Sequence, residues 1–101
     1  MWLLVLFDLP VGSKFERRTA AQFRNFLKND GYDMIQYSVY ARACRGESGR
    51  QTHEGRLKKN LPLKGSVRCL TITDRQYARM SFLVGKPTVQ QHASQQQMLL
   101  L

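Results

Sequence analysis

The feature that most constrains the fold of this chain is an unbroken apolar run from Trp2 to Phe7. A short run that is apolar at every position predicts a strand at the centre of a sheet, buried on both faces. The run meets Asp8 and then Pro10, and proline has no backbone N–H to donate to a neighbouring strand. The first element is therefore predicted to be a central strand that carries Asp8 at its end.

A helix is predicted shortly after this strand. Ser13 and Glu16 have the spacing of a capping box, and Gly31 supplies a left-handed stop. These signals predict a helix from about residue 14 to residue 30. Its core-facing side carries residues at steps of three and four: Phe15, Thr19, Phe23, Phe26 and Leu27.

The opposite side of that helix is positively charged. A second basic stretch lies between residues 41 and 70, and the whole chain has 16 Lys and Arg against 7 Asp and Glu, a net charge of +9. Two separate basic segments favour a polyanionic partner over a merely solvated surface. We predict contacts to the nucleic-acid backbone, without base-specific reading, from Lys14, Arg17, Arg18, Arg24, Lys28 and Arg42.

The segment after the helix is rich in aromatic and β-branched side chains. Residues 32–43 predict β structure, either one long bent strand or a tight hairpin, and residues 46–49 predict a loop. Residues 51–60 favour a second helix, which Pro62 ends, and residues 67–72 favour a strand.

Two short elements are predicted near the end of the folded part. Thr73 and Gln76 have the spacing of another capping box, which opens one or two helical turns, and residues 81–84 are a candidate final strand. The resulting order, β-α-β-β-α-β with an extra C-terminal strand, predicts an α+β domain of the ferredoxin-like, split βαβ type over residues 1–85.

The remaining residues, 86–101, have a different composition. They are polar and rich in glutamine, so they cannot pack a core, yet they end in Met98 and three leucines. We predict a tail that docks on a partner. The small core and the unpaired final strand predict a homodimer, because strand exchange with a second copy removes the exposed edge.

Compartment is predicted from cysteine usage and from the N-terminus. Cys44 and Cys69 show no metal-ligand spacing, and their strand-like surroundings predict reduced thiols in the core. The apolar start lacks a basic region and is too short for a signal peptide or a membrane span. We expect a cytoplasmic protein with no membrane partner.

Asp8 is the one carboxylate in a setting typical of catalysis. At the exit of a buried strand it could hold a hard cation such as Mg²⁺ through oxygen. The alternative is a turn aspartate before Pro10, which its position alone favours. One carboxylate is a poor metal site, so a metal requires a second Asp8 from a dimer partner.

Five segments, in this order, resemble the small CRISPR-associated adaptation proteins of the Cas-two family (Cas2), which are often classed as endoribonucleases. The resemblance spans residues 2–85 and does not reach the tail. The segments are LVLFDLP at residues 4–10, ERR at 16–18, QYSVY at 36–40, NLPLKGSVR at 60–68 and TDRQY at 73–77.

The resemblance implies a symmetric homodimer in which Asp8 faces its symmetry mate and the pair holds Mg²⁺ or Mn²⁺ for phosphodiester cleavage. It also implies a complex with the CRISPR integrase, where the dimer bridges two integrase dimers and holds double-stranded prespacer DNA for spacer acquisition. Three functions stay open: this bridging subunit, a metal-dependent nuclease acting alone on RNA or DNA, and an endoribonuclease of the related virulence-associated D toxin type.

Overall fold

The apolar run forms an inner strand of the sheet. In the computed structural model, which describes residues 1–85, β1 (Trp2–Asp8) lies between two antiparallel neighbours, β3 (Val39–Ala43) and β4 (Ser66–Ile72). The short strand β2 (Asp33–Gln36) completes the order β2-β3-β1-β4. The prediction of a central strand is confirmed, because the first four residues of β1 are all buried.

Three helices complete the domain: α1 (Lys14–Asn29), α2 (Gly46–Lys58) and α3 (Asp74–Ala78). The elements follow one another as β1-α1-β2-β3-α2-β4-α3. Because the antiparallel strand β3 lies between β1 and β2, this is the split βαβ arrangement of ferredoxin-like domains. The predicted fold class is confirmed.

Both ends of α1 are fixed as the sequence predicts. The Ser13 hydroxyl accepts from the Glu16 amide at 3.1 Å, and the Glu16 carboxylate accepts from the Ser13 amide at 3.0 Å. At the other end Gly31 has φ +94°, and its amide donates to the Lys28 carbonyl while the next amide reaches Leu27. This Schellman motif turns the chain toward β2.

β1 separates two apolar clusters, because successive side chains of a strand point to opposite faces. On one face Leu3, Val5 and Phe7 pack under α1 and α2. On the other face, which we call the open face, Trp2 and Leu4 pack with residues of β3 and α3. In residues 1–85, α3 is the helix that packs on the open face, where the Tyr77 ring stacks on Trp2 at 3.9 Å.

The structure decides between the two predictions for residues 32–43. They form a hairpin, with Tyr37 and Ser38 as the turn between β2 and β3. Ser38 adopts φ +63°, a left-handed conformation that tight hairpin turns require. The pairing is irregular between Met34 and Gln36, which is where the turn begins.

The prediction for the second helix is wrong at its start. α2 begins at Gly46, within the segment predicted as a loop, and its last residue is Lys58. Two glycines disfavour a helix there, but Arg50 forms ion pairs with Glu47 and Glu54 at 2.5 and 2.6 Å. The three residues have helical spacing, so the ion pairs stabilise the start of α2, although its glycines alone disfavour a helix.

The predicted strand over residues 81–84 is also wrong for the single chain. These residues pair with no strand of the sheet, and they line a groove with Ile35 and Gln36. A strand requires a neighbour with free backbone groups, and this segment forms no ladder with β2, the edge strand beside that groove. Leu83 and Val84 are consequently exposed at 92% and 95%.

Two side chains predicted in the core lie at the surface. Cys44 is buried, but Cys69 is exposed because β4 is an edge strand. Phe15 is 57% exposed, since the first turn of α1 extends past the buried part of the helix. The predicted tail, residues 86–101, lies outside the described residues. No helix in residues 1–85 is long and apolar enough to cross a membrane.

Candidate nucleic-acid and metal site

Asp8 occupies the end of β1 as predicted. It pairs with Ser66 of β4, and its position in the alternation places it on the open face with Trp2 and Leu4. The residue is exposed, and within residues 1–85 its carboxylate takes part in no hydrogen bond or ion pair. Asp8 therefore does not form the side-chain-to-backbone hydrogen bond of an Asx turn, and its predicted role in metal binding and catalysis stays a prediction.

The backbone at Asp8 is held from both sides. The Phe7 amide donates to the Ser38 carbonyl at 3.1 Å. Gly65 approaches from β4 with φ +99°, and a Cβ there would lie 2.6 Å from the Asp8 carbonyl oxygen and 2.8 Å from Leu9 Cδ2. The end of β1 is thus positioned by its neighbours rather than by burial.

A divalent-metal site at Asp8 stays a prediction that requires more than one chain. Within residues 1–85, no group of three or more His, Cys, Asp and Glu side chains is placed to hold a metal ion. The oxygen donor of the free Asp8 carboxylate suits Mg²⁺ or Mn²⁺. A symmetry axis through the open face would add a second Asp8, and two close carboxylates favour a cation between them.

We call the five basic residues of α1 its basic stripe: Lys14, Arg17, Arg18, Arg24 and Lys28. Lys14, Arg17, Arg18 and Lys28 are all exposed. Arg17 donates to the Val11 carbonyl at 3.4 Å, which holds it beside the loop that leaves β1. The start of the stripe therefore lies at the end of the sheet that carries Asp8.

Arg24, the remaining residue of the stripe, is half-buried. Its guanidinium lies 5.6 Å from the centre of the Phe7 ring and 5.1 Å from that of Tyr37. It also donates to the Tyr37 hydroxyl at 3.2 Å. Arg24 is thus held at the edge of the domain with its charge at the surface.

Arg42 lies apart from the stripe. Its guanidinium donates to the carbonyls of Asp30 and Ala43 and lies 5.7 Å from the centre of the Tyr32 ring. These contacts connect β3 to the end of α1 and satisfy a carbonyl that the helix leaves open. They favour a structural role for Arg42, while its predicted contact to nucleic acid stays a prediction.

The second basic stretch is partly neutralised within the domain. Arg56 forms an ion pair with Asp30 at 2.8 Å. The hydrogen bonds that Arg50 donates lower the pKa of Glu47, and those that it donates to Glu47 and Glu54 raise its own pKa. Arg56 is itself exposed, and five further basic residues of this stretch are exposed: Arg45, Lys58, Lys59, Lys64 and Arg68.

Sequence reasoning missed two side chains at the end of the sheet that carries Asp8. Arg68 pairs with Leu6 on the open face, two residues along β4 from Ser66, so it lies diagonally across from Asp8. Tyr37 occupies the β2–β3 turn next to Ser38 and is 75% exposed. Strand alternation indicates the face of Arg68, but only the strand register shows what lies beside it.

Comparison with known proteins gives consistent matches. The family model described as CRISPR associated protein Cas2 matches residues 1–80. A protein of Acidovorax ebreus named CRISPR-associated endoribonuclease Cas2 is 56% identical over 91 residues, covering 90% of this chain and 89% of that protein. One of the same name from Ligilactobacillus salivarius is 41% identical over 101 residues, covering the whole of both.

A solved structure shows the same fold. The crystal structure of Streptococcus pyogenes Cas2 at pH 6.5 superposes with a TM-score of 0.62 and 18% identity, covering 83% of this chain and 100% of that one. At this identity the match supports the fold alone.

Proposed function

This chain belongs to the Cas2 family, and from that premise we propose that it is a CRISPR adaptation subunit. As a homodimer it bridges the CRISPR integrase and binds double-stranded prespacer DNA for spacer acquisition. The observation that carries this proposal is the free Asp8 carboxylate at the end of β1, together with an exposed basic stripe on α1, which packs on the other face of the sheet. Relatives named endoribonuclease add a phosphodiesterase activity at Asp8 to the proposal.

The homodimer in this proposal uses the open face. Leu70 on that face is 52% exposed, and Leu6, Ile35 and Ile72 are only partly buried. A second copy would cover them and would bring the two Asp8 side chains toward a common axis. The apolar residues 81–84 would gain the strand partner that they lack in one chain.

DNA binding by the α1 stripe predicts a strong dependence on salt, because each phosphate contact releases counterions. Replacing both Arg17 and Arg18 by Ala should weaken duplex binding similarly for unrelated sequences and reduce the salt slope by about two contacts. Fluorescence anisotropy at several salt concentrations measures both effects.

A charge-matched control separates the stripe from net charge. Lys58→Ala with Lys59→Ala removes the same charge from exposed residues at the end of α2. We expect this control to weaken binding much less. Equal losses in the two double variants would contradict a binding site on α1.

Phosphodiester cleavage in this proposal depends on the Asp8 pair. Mg²⁺ or Mn²⁺ bound between the two carboxylates would polarise a phosphate oxygen and help an attacking water to ionise. The role of the chain is to hold the carboxylates at the dimer axis and the phosphate backbone along α1. Asp8→Asn preserves the shape of the side chain and removes its charge.

We expect Asp8→Asn to abolish cleavage while dimer formation and DNA binding remain. Asp33→Asn is the matched control, because Asp33 is an exposed aspartate on the edge strand β2, which β3 separates from β1. Cleavage of a labelled RNA and a labelled DNA, with Mg²⁺, with Mn²⁺ and with a chelator, tests both variants. Cleavage by Asp8→Asn at the parental rate would show that Asp8 has no catalytic role.

A further inference from the structure

The β2–β3 turn presents an aromatic ring to solvent. Tyr37 is 75% exposed, although the turn around it is well fixed: Ser38 has φ +63° and accepts from the Phe7 amide at 3.1 Å. The backbone that carries the ring is therefore fixed, although the ring itself is not buried. Such a ring can bind a flat ligand without a large loss of conformational entropy.

Arg24 contacts this ring, and we call these two side chains the Tyr37–Arg24 unit. Its guanidinium donates to the Tyr37 hydroxyl at 3.2 Å and lies 5.1 Å from the ring centre, within the range of a cation–π contact. A second ring, that of Phe7, holds the guanidinium from the core side. An exposed aromatic surface and a fixed positive charge thus lie side by side, as they do where proteins bind single-stranded nucleic acid.

The unit lies next to the Asp8 end of β1. One hydrogen bond joins Phe7 and Ser38; Asp8 is the next residue of β1, and Tyr37 precedes Ser38 in the turn. Asp8 lies on the open face, whereas the Tyr37 ring contacts Arg24 on the α1 side of the sheet. A nucleic-acid strand held along the α1 stripe, to which Arg24 belongs, would therefore pass within reach of the Tyr37 ring.

We propose that Tyr37 and Arg24 form a stacking site for an unpaired nucleobase, with Arg24 also neutralising a neighbouring phosphate. The inference rests on the proposed function, since it assumes that this end of the sheet holds nucleic acid. In a duplex the bases are stacked on one another and their faces are covered. The site therefore distinguishes an unpaired strand from a paired one, and the α1 stripe, which contacts phosphates, does not.

The first test uses the unchanged protein. Its affinity for a thymidine homo-oligonucleotide is compared with that for the same strand carrying abasic sites, which keep the phosphates and lack the bases. We expect the abasic strand to bind about ten-fold more weakly, the usual effect of losing one stacked base. Equal affinity for the two strands would overturn the proposal.

The second test changes the ring. Tyr37→Leu should weaken binding of the intact single strand about ten-fold and should abolish the difference between intact and abasic strands. Tyr37→Phe keeps the ring and should retain nearly all of the affinity. Phe15→Leu is the matched control, because Phe15 is an exposed aromatic on the first turn of α1, outside this unit.

Binding of duplex DNA distinguishes a failure of this inference from a failure of the proposed function. Duplex DNA should bind the Tyr37→Leu variant within about two-fold of the parent, because its bases are not free to stack. If duplex binds and Tyr37→Leu leaves single-strand binding unchanged, the stacking site alone is refuted. If the parent binds neither ligand, the proposed function and the inference both fail.

Discussion

At the scale of single residues, Gly65 fixes the end of β1 from the side of β4. A Cβ at this position would lie 2.6 Å from the Asp8 carbonyl oxygen, and φ +99° disfavours any other residue. We predict that Gly65→Ala lowers the free energy of unfolding by about 2 to 4 kcal/mol. Urea denaturation followed by circular dichroism measures the change.

The matched control is Gly55→Ala. Gly55 lies inside α2, and a Cβ there has no atom within 4 Å. Alanine is the better helix former, so this variant should be more stable by up to about 1 kcal/mol. Opposite signs for the two substitutions support the packing account, whereas similar effects at both glycines would refute it.

Arg42 gives a second prediction at this scale. Arg42→Ala removes the donor to the Asp30 and Ala43 carbonyls and should lower stability by about 1 to 3 kcal/mol. Arg18→Ala removes a fully exposed charge and should change stability by less than about 0.5 kcal/mol. Thermal unfolding of both variants decides whether Arg42 is structural. Equal stability of the two would leave its guanidinium available for nucleic acid.

At the scale of elements, a cluster of polar side chains that includes His53 connects α2 to the end of α1. His53 Nδ1 lies 2.6 Å from a guanidinium nitrogen of Arg56, which also binds Asp30. Burial lowers the pKa of His53, and the charges of Arg42 and Arg56 lower it further, while Asp30 acts in the opposite direction. The folded protein therefore favours the neutral ring.

This shift predicts the direction of a pH effect. The unfolded chain binds the His53 proton more readily, so the stabilising contribution is present above a pH of about 6.5 and is lost as the pH falls. His53→Gln should lose less stability than the parent between neutral pH and about pH 5. Urea midpoints at several pH values measure the difference. Equal losses of stability in the parent and in His53→Gln would show that groups other than His53 cause the pH dependence.

Local signals determine how far each element could be predicted from sequence. The capping box of Ser13 and the Gly31 stop gave both ends of α1, because each signal bonds backbone groups only a few residues away. The start of α2 could not be predicted in the same way. Its glycines disfavour a helix, and the Arg50 ion pairs that offset them form only once the helix exists.

The candidate site was predictable only in part, for a related reason. Asp8 follows from the apolar run, since it is the first polar residue after a buried strand. The positions of Arg68 and Tyr37 beside it depend on strand register and on the hairpin turn, which bring together residues far apart in the chain. Residues 81–84 were predicted as a strand from composition, but pairing depends on a neighbour that one chain does not provide.

At the scale of the whole molecule, the open face predicts the oligomeric state. Leu70 is 52% exposed on that face in the single chain. Leu70→Glu should therefore leave the monomer folded and prevent dimer formation, because a charge would be buried without a partner. Light scattering should give the parent twice the 11.7 kDa of one chain and the variant a single copy.

Leu63→Glu is the control for this prediction. Leu63 is 83% exposed, but it lies in the groove beside Phe15 and Pro62, away from the open face. The control should remain a dimer. If Leu63→Glu dissociates and Leu70→Glu does not, the groove rather than the open face joins the two copies.

The measurement that tests the proposed adaptation role most directly is the mass of the complex formed with the integrase of the same CRISPR locus. Size-exclusion chromatography with light scattering, with and without a prespacer duplex, gives the number of copies of each component. The account predicts one dimer of this chain joining two integrase dimers around the duplex, weakened when Arg17 and Arg18 are both replaced by Ala. Separate elution of this chain and the integrase, with the duplex present, would contradict it.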